Sequence, residues 1–147
     1  MRSGFEPKIV AFCCNWSSYP AINDAGSSGQ NIPPNVKFIR MMCGGMVTEG
    51  FVLKAFELGA DGVLVATCPV EDCHYNTGSR RAIDVHKSTE RIVEMLGIGK
   101  ERLRLGWFSS NETSEFVNTV KEFVEKIRDV GPSPINRRTS IMAINRE

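Results

Sequence analysis

Residues 62–68 read Gly-Val-Leu-Val-Ala-Thr-Cys, an almost wholly apolar run that ends in a cysteine. Such a run is typical of a central strand in a parallel sheet, because helices cover both faces of that strand. Just before it, Thr48–Leu58 carries apolar residues at a period of about 3.6, which predicts a helix that Gly59 ends. A helix followed directly by a buried strand indicates an α/β protein.

The same alternation of strand and helix runs along most of the chain. Alternating elements of this kind predict an open parallel sheet with right-handed crossovers. We therefore expect a Rossmann-like or flavodoxin-like α/β fold with about four strands and flanking helices. The predicted strands are Lys8–Phe12, Val36–Met41, Gly62–Thr67 and Leu103–Phe108. Besides Thr48–Leu58, a helix is predicted at about Ser79–Leu96. A further helix is predicted to follow a capping box at Ser109 and Glu112 and to end near Val130. Between Tyr19 and Gln30, Gly and Ser residues interrupt any regular pattern.

The composition fits one domain with a hydrophobic core: 147 residues, 41% of them hydrophobic, with a net charge of +1. We expect residues 1–131 to form a single α/β domain. Residues 132–147 are expected to be a C-terminal tail that docks on a partner or is disordered. Balanced charge gives no indication of nucleic-acid binding, and no apolar run suits a membrane helix or signal peptide, so we expect a cytoplasmic protein.

All five cysteines follow predicted strands. The carboxyl ends of parallel strands form one edge of the sheet, where α/β proteins bind ligands. Cytosolic thiols are kept reduced, so these cysteines indicate a metal or catalytic site rather than disulfides. Four thiolates at one edge would hold a metal ion or an iron–sulfur cluster. The five are Cys13, Cys14, Cys43, Cys68 and Cys73.

Two spacings narrow the kind of site. Cys68 and Cys73 are separated by four residues, a local spacing also found in plant-type [2Fe–2S] ferredoxins. Cys43 precedes Gly44-Gly45 and the helix predicted from Thr48, so backbone N–H groups and a helix N-terminus would favour a bound anion there. Structural zinc commonly uses closely paired cysteines. Because these cysteines are spread over several strand ends, they disfavour a zinc ribbon. Zinc nevertheless remains the alternative to an iron–sulfur cluster.

The adjacent Cys13 and Cys14 cannot both point at one site, because neighbouring residues in a strand face opposite sides. We favour Cys14, which lies nearer the loop that must approach Cys43. The predicted ligands are then Cys14, Cys43, Cys68 and Cys73, with Cys13 as the open alternative at the N-terminal position. His74 is predicted to lie beside the site or on the surface rather than to bind metal.

Four segments closely resemble the delta subunit of methyl-viologen-reducing hydrogenase. The resemblance extends over roughly Lys8–Val130. The segments are 12–16 (Phe-Cys-Cys-Asn-Trp), 39–45 (Ile-Arg-Met-Met-Cys-Gly-Gly), 59–65 (Gly-Ala-Asp-Gly-Val-Leu-Val) and 68–75, which ends Cys-His-Tyr.

The resemblance implies a small [2Fe–2S] electron-transfer protein rather than a catalyst. Its partners would be a hydrogenase or formate dehydrogenase as donor and, as acceptor, the flavin-containing A subunit of heterodisulfide reductase, in methanogenesis. Family members often have a further cysteine where this chain has Ser17; the simpler interpretation is that the four predicted cysteines suffice. A zinc-stabilised scaffold remains the alternative. The residues expected near a partner-facing edge are Trp16, Tyr19, Met41, Met42 and Met46.

Overall fold

The computed structural model describes residues 4–136. Within them the chain forms one open sheet in which all four strands are parallel, in the order β2-β1-β3-β4. The predicted α/β fold with about four strands and flanking helices is therefore confirmed. The strands are β1 (Ile9–Cys14), β2 (Val36–Met41), β3 (Gly62–Thr67) and β4 (Leu103–Trp107). The helices are α1 (Ser18–Ser27), α2 (Glu49–Glu57), α3 (Gly78–Met95) and α4 (Thr113–Val130).

The side chains of β1 divide between two core layers. Ile9, Ala11 and Cys13 face the layer that contains α1 and α4. Val10 and Phe12 face the opposite layer, which contains α2 and α3. This alternation follows from the two-residue period of a strand and fixes the face to which each cysteine of β1 points.

Two elements differ from the sequence prediction. β1 extends to Cys14, so both of its cysteines lie inside the sheet ladder and not in a loop after it. Ser18–Ser27 is a helix where the sequence indicated only a broken segment. Ala21 and Ala25 bury one face of this helix and α1 packs on α4, so tertiary burial outweighs the weak local propensity.

The start of α4 keeps half of the predicted capping box. The backbone N–H of Ser109 donates to the Glu112 carboxylate at 2.6 Å, and the helix then begins at Thr113. The reciprocal side-chain bond from Ser109 is replaced by a backbone turn in which the N–H of Glu112 donates to the Ser109 carbonyl. The local signal thus located the turn correctly and placed the first helical residue too early.

A buried polar network closes the amino ends of the strands. The Asp61 carboxylate accepts hydrogen bonds from the backbone N–H of Lys8 (2.9 Å), that of Ser133 (2.8 Å) and the Asn136 side chain (3.0 Å). The buried Arg102 guanidinium donates to the carbonyls of Asp61, Gly131 and Pro132. The chain therefore stays packed on the domain through residue 136.

The rest of the predicted tail, residues 137–147, lies outside the described residues. The docking or disorder predicted for it therefore stays a prediction. Among the helices formed within residues 4–136, none combines the length and apolar character needed to cross a bilayer.

Candidate metal centre

The two cysteines of β1 occupy different environments. Cys13 has no exposed surface, lies in the core layer beneath α1 and α4, and places its sulfur 3.7 Å from the Ala11 carbonyl oxygen. Burial raises the pKa of the Cys13 thiol to about 12. Cys14 points to the other face, toward Cys68 and Cys73. Cys13 is therefore held as a protonated core residue, whereas Cys14 is grouped with other thiols.

Three of the cysteines form one buried cluster: Cys14, Cys68 and Cys73. The sulfurs of Cys14 and Cys68 are 3.5 Å apart. The sheet register produces this closeness, because Cys13 pairs with Ala66 and both strands end at the same edge. After Cys68 a short 3₁₀ turn, Val70–Asp72, carries the chain back so that Cys73 rejoins the cluster.

Cys43 approaches from the β2 side, in a loop that turns at Gly44–Met46. The backbone N–H of Gly45 donates to the Cys43 sulfur at 3.4 Å. The expected N–H donor from the Gly-Gly turn is thus present. The helix that begins beside Cys43 is α3, however, and not α2, whose N-terminus is closed by the Thr48 side chain.

Glycine at three positions permits this close approach. A Cβ on Gly44 would overlap Thr67, and one on Gly45 would lie 2.9 Å from the Gly78 Cα. A Cβ on Gly78 would overlap the Cys43 sulfur and stand 3.4 Å from the Cys73 sulfur. Cys43 and Cys73 therefore face the same small space above the first residue of α3.

The start of α3 also changes the acidity of the thiols. Burial by itself raises the pKa of Cys73, but the nearby backbone N–H groups of Ser79, Tyr75 and Gly78 bring the net pKa below the ordinary value. Burial raises the pKa of Cys68, although the His74 backbone N–H and the Ser17 hydroxyl oppose it. Donors directed at sulfur stabilise thiolates, the form that binds metal.

Ser17 contributes a buried hydroxyl to this group. It is 4% exposed, its oxygen has no partner within hydrogen-bonding geometry, and it does not cap α1. Its position beside Cys68 lowers the pKa of that thiol against the effect of burial. A buried donor without a partner is costly unless an acceptor is supplied, so it fits a sulfur-rich group bound among these cysteines.

An aromatic stack is formed by residues that lie close to the cysteines in the chain. The rings of Trp16 and His74 are 3.7 Å apart and nearly parallel, and Tyr75 meets His74 edge-on at 4.8 Å. Met42 and Met46 are exposed beside a cavity that Cys43, Tyr75 and Gly78 also line. Of the five edge residues expected from the sequence, Trp16, Met42 and Met46 are exposed there, while Tyr19 and Met41 pack against the two core layers.

The sequence reasoning missed Gly78 and Ser79. Their signal was available in the Thr-Gly-Ser triplet at residues 77–79, a small-residue helix start five residues after Cys73. His74 was predicted to lie beside the site or on the surface. It stacks on Trp16, and its backbone N–H lowers the pKa of Cys68.

The four sulfurs do not form one closed cage. Cys14, Cys68 and Cys73 are clustered, and Cys43 approaches Cys73 over Gly78. In residues 4–136, no three or more His, Cys, Asp or Glu side chains converge as a ready ligand set for one metal ion. Four thiols at one edge of the sheet that do not converge on a single point are suited to a group with more than one metal atom.

Comparison with known proteins agrees with this chemistry. The family model described as methyl-viologen-reducing hydrogenase, delta subunit, matches residues 9–131. The chain is 38% identical over 143 residues to the iron-sulfur D subunit of the F420-non-reducing hydrogenase vhc of Methanococcus voltae, covering 95% of this chain and 96% of that one. It is 40% identical over 137 residues to the corresponding iron-sulfur D subunit of Archaeoglobus profundus, covering 93% and 100%.

A third relative is a much longer protein. The A subunit of the Ferredoxin:CoB-CoM heterodisulfide reductase of Methanosarcina mazei is 41% identical over 129 residues, which are 86% of this chain and 16% of that one. A domain similar to this chain thus forms part of a protein of heterodisulfide reductase. The matched length and the identity along it show that the chain belongs to the methyl-viologen-reducing hydrogenase delta subunit family.

Proposed function

We propose that Cys14, Cys43, Cys68 and Cys73 hold a [2Fe–2S] cluster at the carboxyl edge of the sheet. The observation that carries the proposal is that these four thiols gather on one face while Cys13 is buried on the other. The four sulfurs would supply the cysteine ligands of its two irons. When bound, the cluster supplies a one-electron carrier. The residues around it would hold it in position and shield it from water.

The surrounding donors support an iron–sulfur cluster over zinc. Backbone N–H groups directed at Cys43 and Cys73, and the buried hydroxyl of Ser17, place positive partial charge around the sulfurs. Such donors stabilise the added negative charge of a reduced cluster and raise its reduction potential. Structural zinc sites commonly use closely spaced cysteine pairs on loops, whereas these four cysteines come from the ends of three separate strands.

We further propose that the protein relays electrons in the cytoplasm. The donor would be a hydrogenase or a formate dehydrogenase, and the acceptor the flavin-containing A subunit of heterodisulfide reductase in methanogenesis. Relatives named as hydrogenase subunits support the donor side, and the relative that is itself an A subunit of heterodisulfide reductase supports the acceptor side. The exposed Trp16, Met42 and Met46 give the cluster edge a surface suited to a protein partner.

Anaerobic purification tests the cluster directly. We expect about two irons and two acid-labile sulfides per chain and a paramagnetic signal after one-electron reduction. Full zinc occupancy without labile sulfide would reject the proposal in favour of the scaffold.

The relay is tested separately, by mixing the loaded protein with purified hydrogenase under hydrogen and then with the purified A subunit of heterodisulfide reductase. Cluster reduction in the first step and reoxidation in the second are expected, and both are followed by the absorbance of the cluster. A cluster that neither partner reduces or oxidises excludes the relay.

A further inference from the structure

One face of the sheet is only partly covered by helices. On the side of Val10 and Phe12, α2 lies against β3, and α3 lies against β3 and β4. The outer strand β2 presents Lys37 and Ile39 on this side, and both are exposed. Parallel sheets are normally covered by helices on both faces. Within the described part of the chain, this layer lacks a helix over β2 and the adjoining part of β1.

The uncovered region is an apolar groove of about 520 Å³. Val10, Phe12 and Ile39 form its floor on the sheet, and Phe51 and Ala55 of α2 form its wall together with Leu58, which directly follows α2. The exposed fractions of Ile39, Phe51 and Leu58 are 40%, 45% and 77%. Three large apolar side chains exposed in one groove indicate a binding surface.

The groove is also lined by three lysines: Lys8, Lys37 and Lys54. Lys54 is paired with Glu57 at the surface, and no carboxylate from residues 4–136 lines the groove itself. A segment that fills the groove would therefore place its flanking residues among positive charges. Electrostatic complementarity requires those residues to be acidic.

We propose that the groove binds an amphipathic helix of a partner polypeptide, whose apolar face is flanked by Asp or Glu. A helix is the element that completes the missing layer, and its acidic flanks would face the three lysines. A second copy of this chain is disfavoured, because two such grooves would bring their lysines together. Residues 137–147 of this chain are disfavoured by composition, since they include three arginines and one glutamate.

The inference rests on the proposed function only for the choice of complex in which it is tested. In the native complex of this chain with hydrogenase and heterodisulfide reductase, a carbodiimide would join amines to carboxylates in direct contact. We expect Lys37 or Lys54 to be joined to Asp or Glu beside an apolar helical stretch of another polypeptide. Cross-links to Glu147 of the same chain or to a second copy, or no cross-link to another polypeptide, would overturn the proposal.

Substitutions provide the second measurement. Ile39→Asp and Leu58→Asp change exposed side chains, and each is expected to lower recovery of the complex at least about tenfold. Met95→Asp changes a residue of α3 that is also exposed and lies outside the groove, so it should leave recovery unchanged. Recovery of both groove variants at the wild-type level would reject the surface.

Iron content of the same variants separates the two proposals. Groove variants that lose the partner should keep full iron and the paramagnetic signal, because the groove contains none of the proposed ligands. A wild-type chain without iron would reject the proposed cluster, while the lysine cross-links would still decide the groove.

Discussion

The two ends of the sheet contain different kinds of buried groups. At the amino ends of the strands, Asp61 and Arg102 are buried and their polar groups bond to surrounding backbone and to Asn136. At the carboxyl ends, thiols are crowded together, Ser17 has an unpartnered hydroxyl, and aromatic and methionine side chains are exposed. The charged groups of Asp61 and Arg102 are satisfied from within, although the buried Ser133 hydroxyl beside them also lacks a partner, so it is the crowded thiols that make the carboxyl end suited to receive a ligand.

The contrast is tested most strongly by the adjacent cysteines of β1. We expect Cys14→Ala to lose the cluster completely, since it removes a sulfur that lies 3.5 Å from Cys68. Cys13→Ala should keep about two irons per chain and cost only about 1 kcal/mol of unfolding free energy, as a small core truncation. Iron and sulfide analysis of both variants tests the assignment of Cys14 as the ligand in β1. Equal iron content in the two variants would contradict that assignment.

Gly78→Ala should have the next largest effect, and only at the carboxyl end. The added methyl group would overlap the Cys43 sulfur and displace it, so we expect cluster occupancy to fall at least about tenfold. The metal-free chain should still fold, because alanine favours a helix more than glycine does.

Gly50→Ala is the matched control, since a methyl group there meets only Thr48 at 3.6 Å, an ordinary contact. Normal cluster loading of the Gly78 variant, measured by absorbance, would show that the space above Gly78 is not needed.

Asp61→Ala should have the converse effect at the amino end. It leaves the N–H groups of Lys8 and Ser133 without their acceptor, and we expect a loss of about 3 kcal/mol in unfolding free energy. Urea unfolding of the metal-free chain measures this, with the exposed Asp129→Ala as control. Cluster content at low urea should stay normal; unchanged stability would show that the network does not stabilise the fold.

Ser17→Ala should have the smallest effect, confined to the electronic properties of the cluster. Without the hydroxyl, the reduction potential should fall by roughly 40 mV, the equivalent of one hydrogen bond of about 1 kcal/mol for one electron. Ser17→Thr retains a hydroxyl and should keep most of the potential, and Ser27→Ala on the exposed end of α1 should not change it. A potential that is the same in Ser17→Ala and the wild type would exclude the hydroxyl as a donor.

The residues that local patterns determine were predicted well. The bounds of β2 and β3 agree with the sequence prediction, because apolar runs between turn residues report burial within a few neighbouring positions. The position of all five cysteines after predicted strands follows from the same patterns. Alternation along β1 also required Cys13 and Cys14 to face opposite sides, although it could not say which side held the other thiols.

Other features of the molecule depend on contacts between distant segments. The helical state of Ser18–Ser27 comes from packing on α4, and the role of Gly78 comes from the loop that carries Cys43. The Asp61 network likewise joins residues up to 75 positions apart. Local sequence patterns specify the strands, most of the helices and which thiols are available at the sheet edge. The tertiary structure decided which of them meet, because strand order and register are set by long-range pairing that no local period encodes.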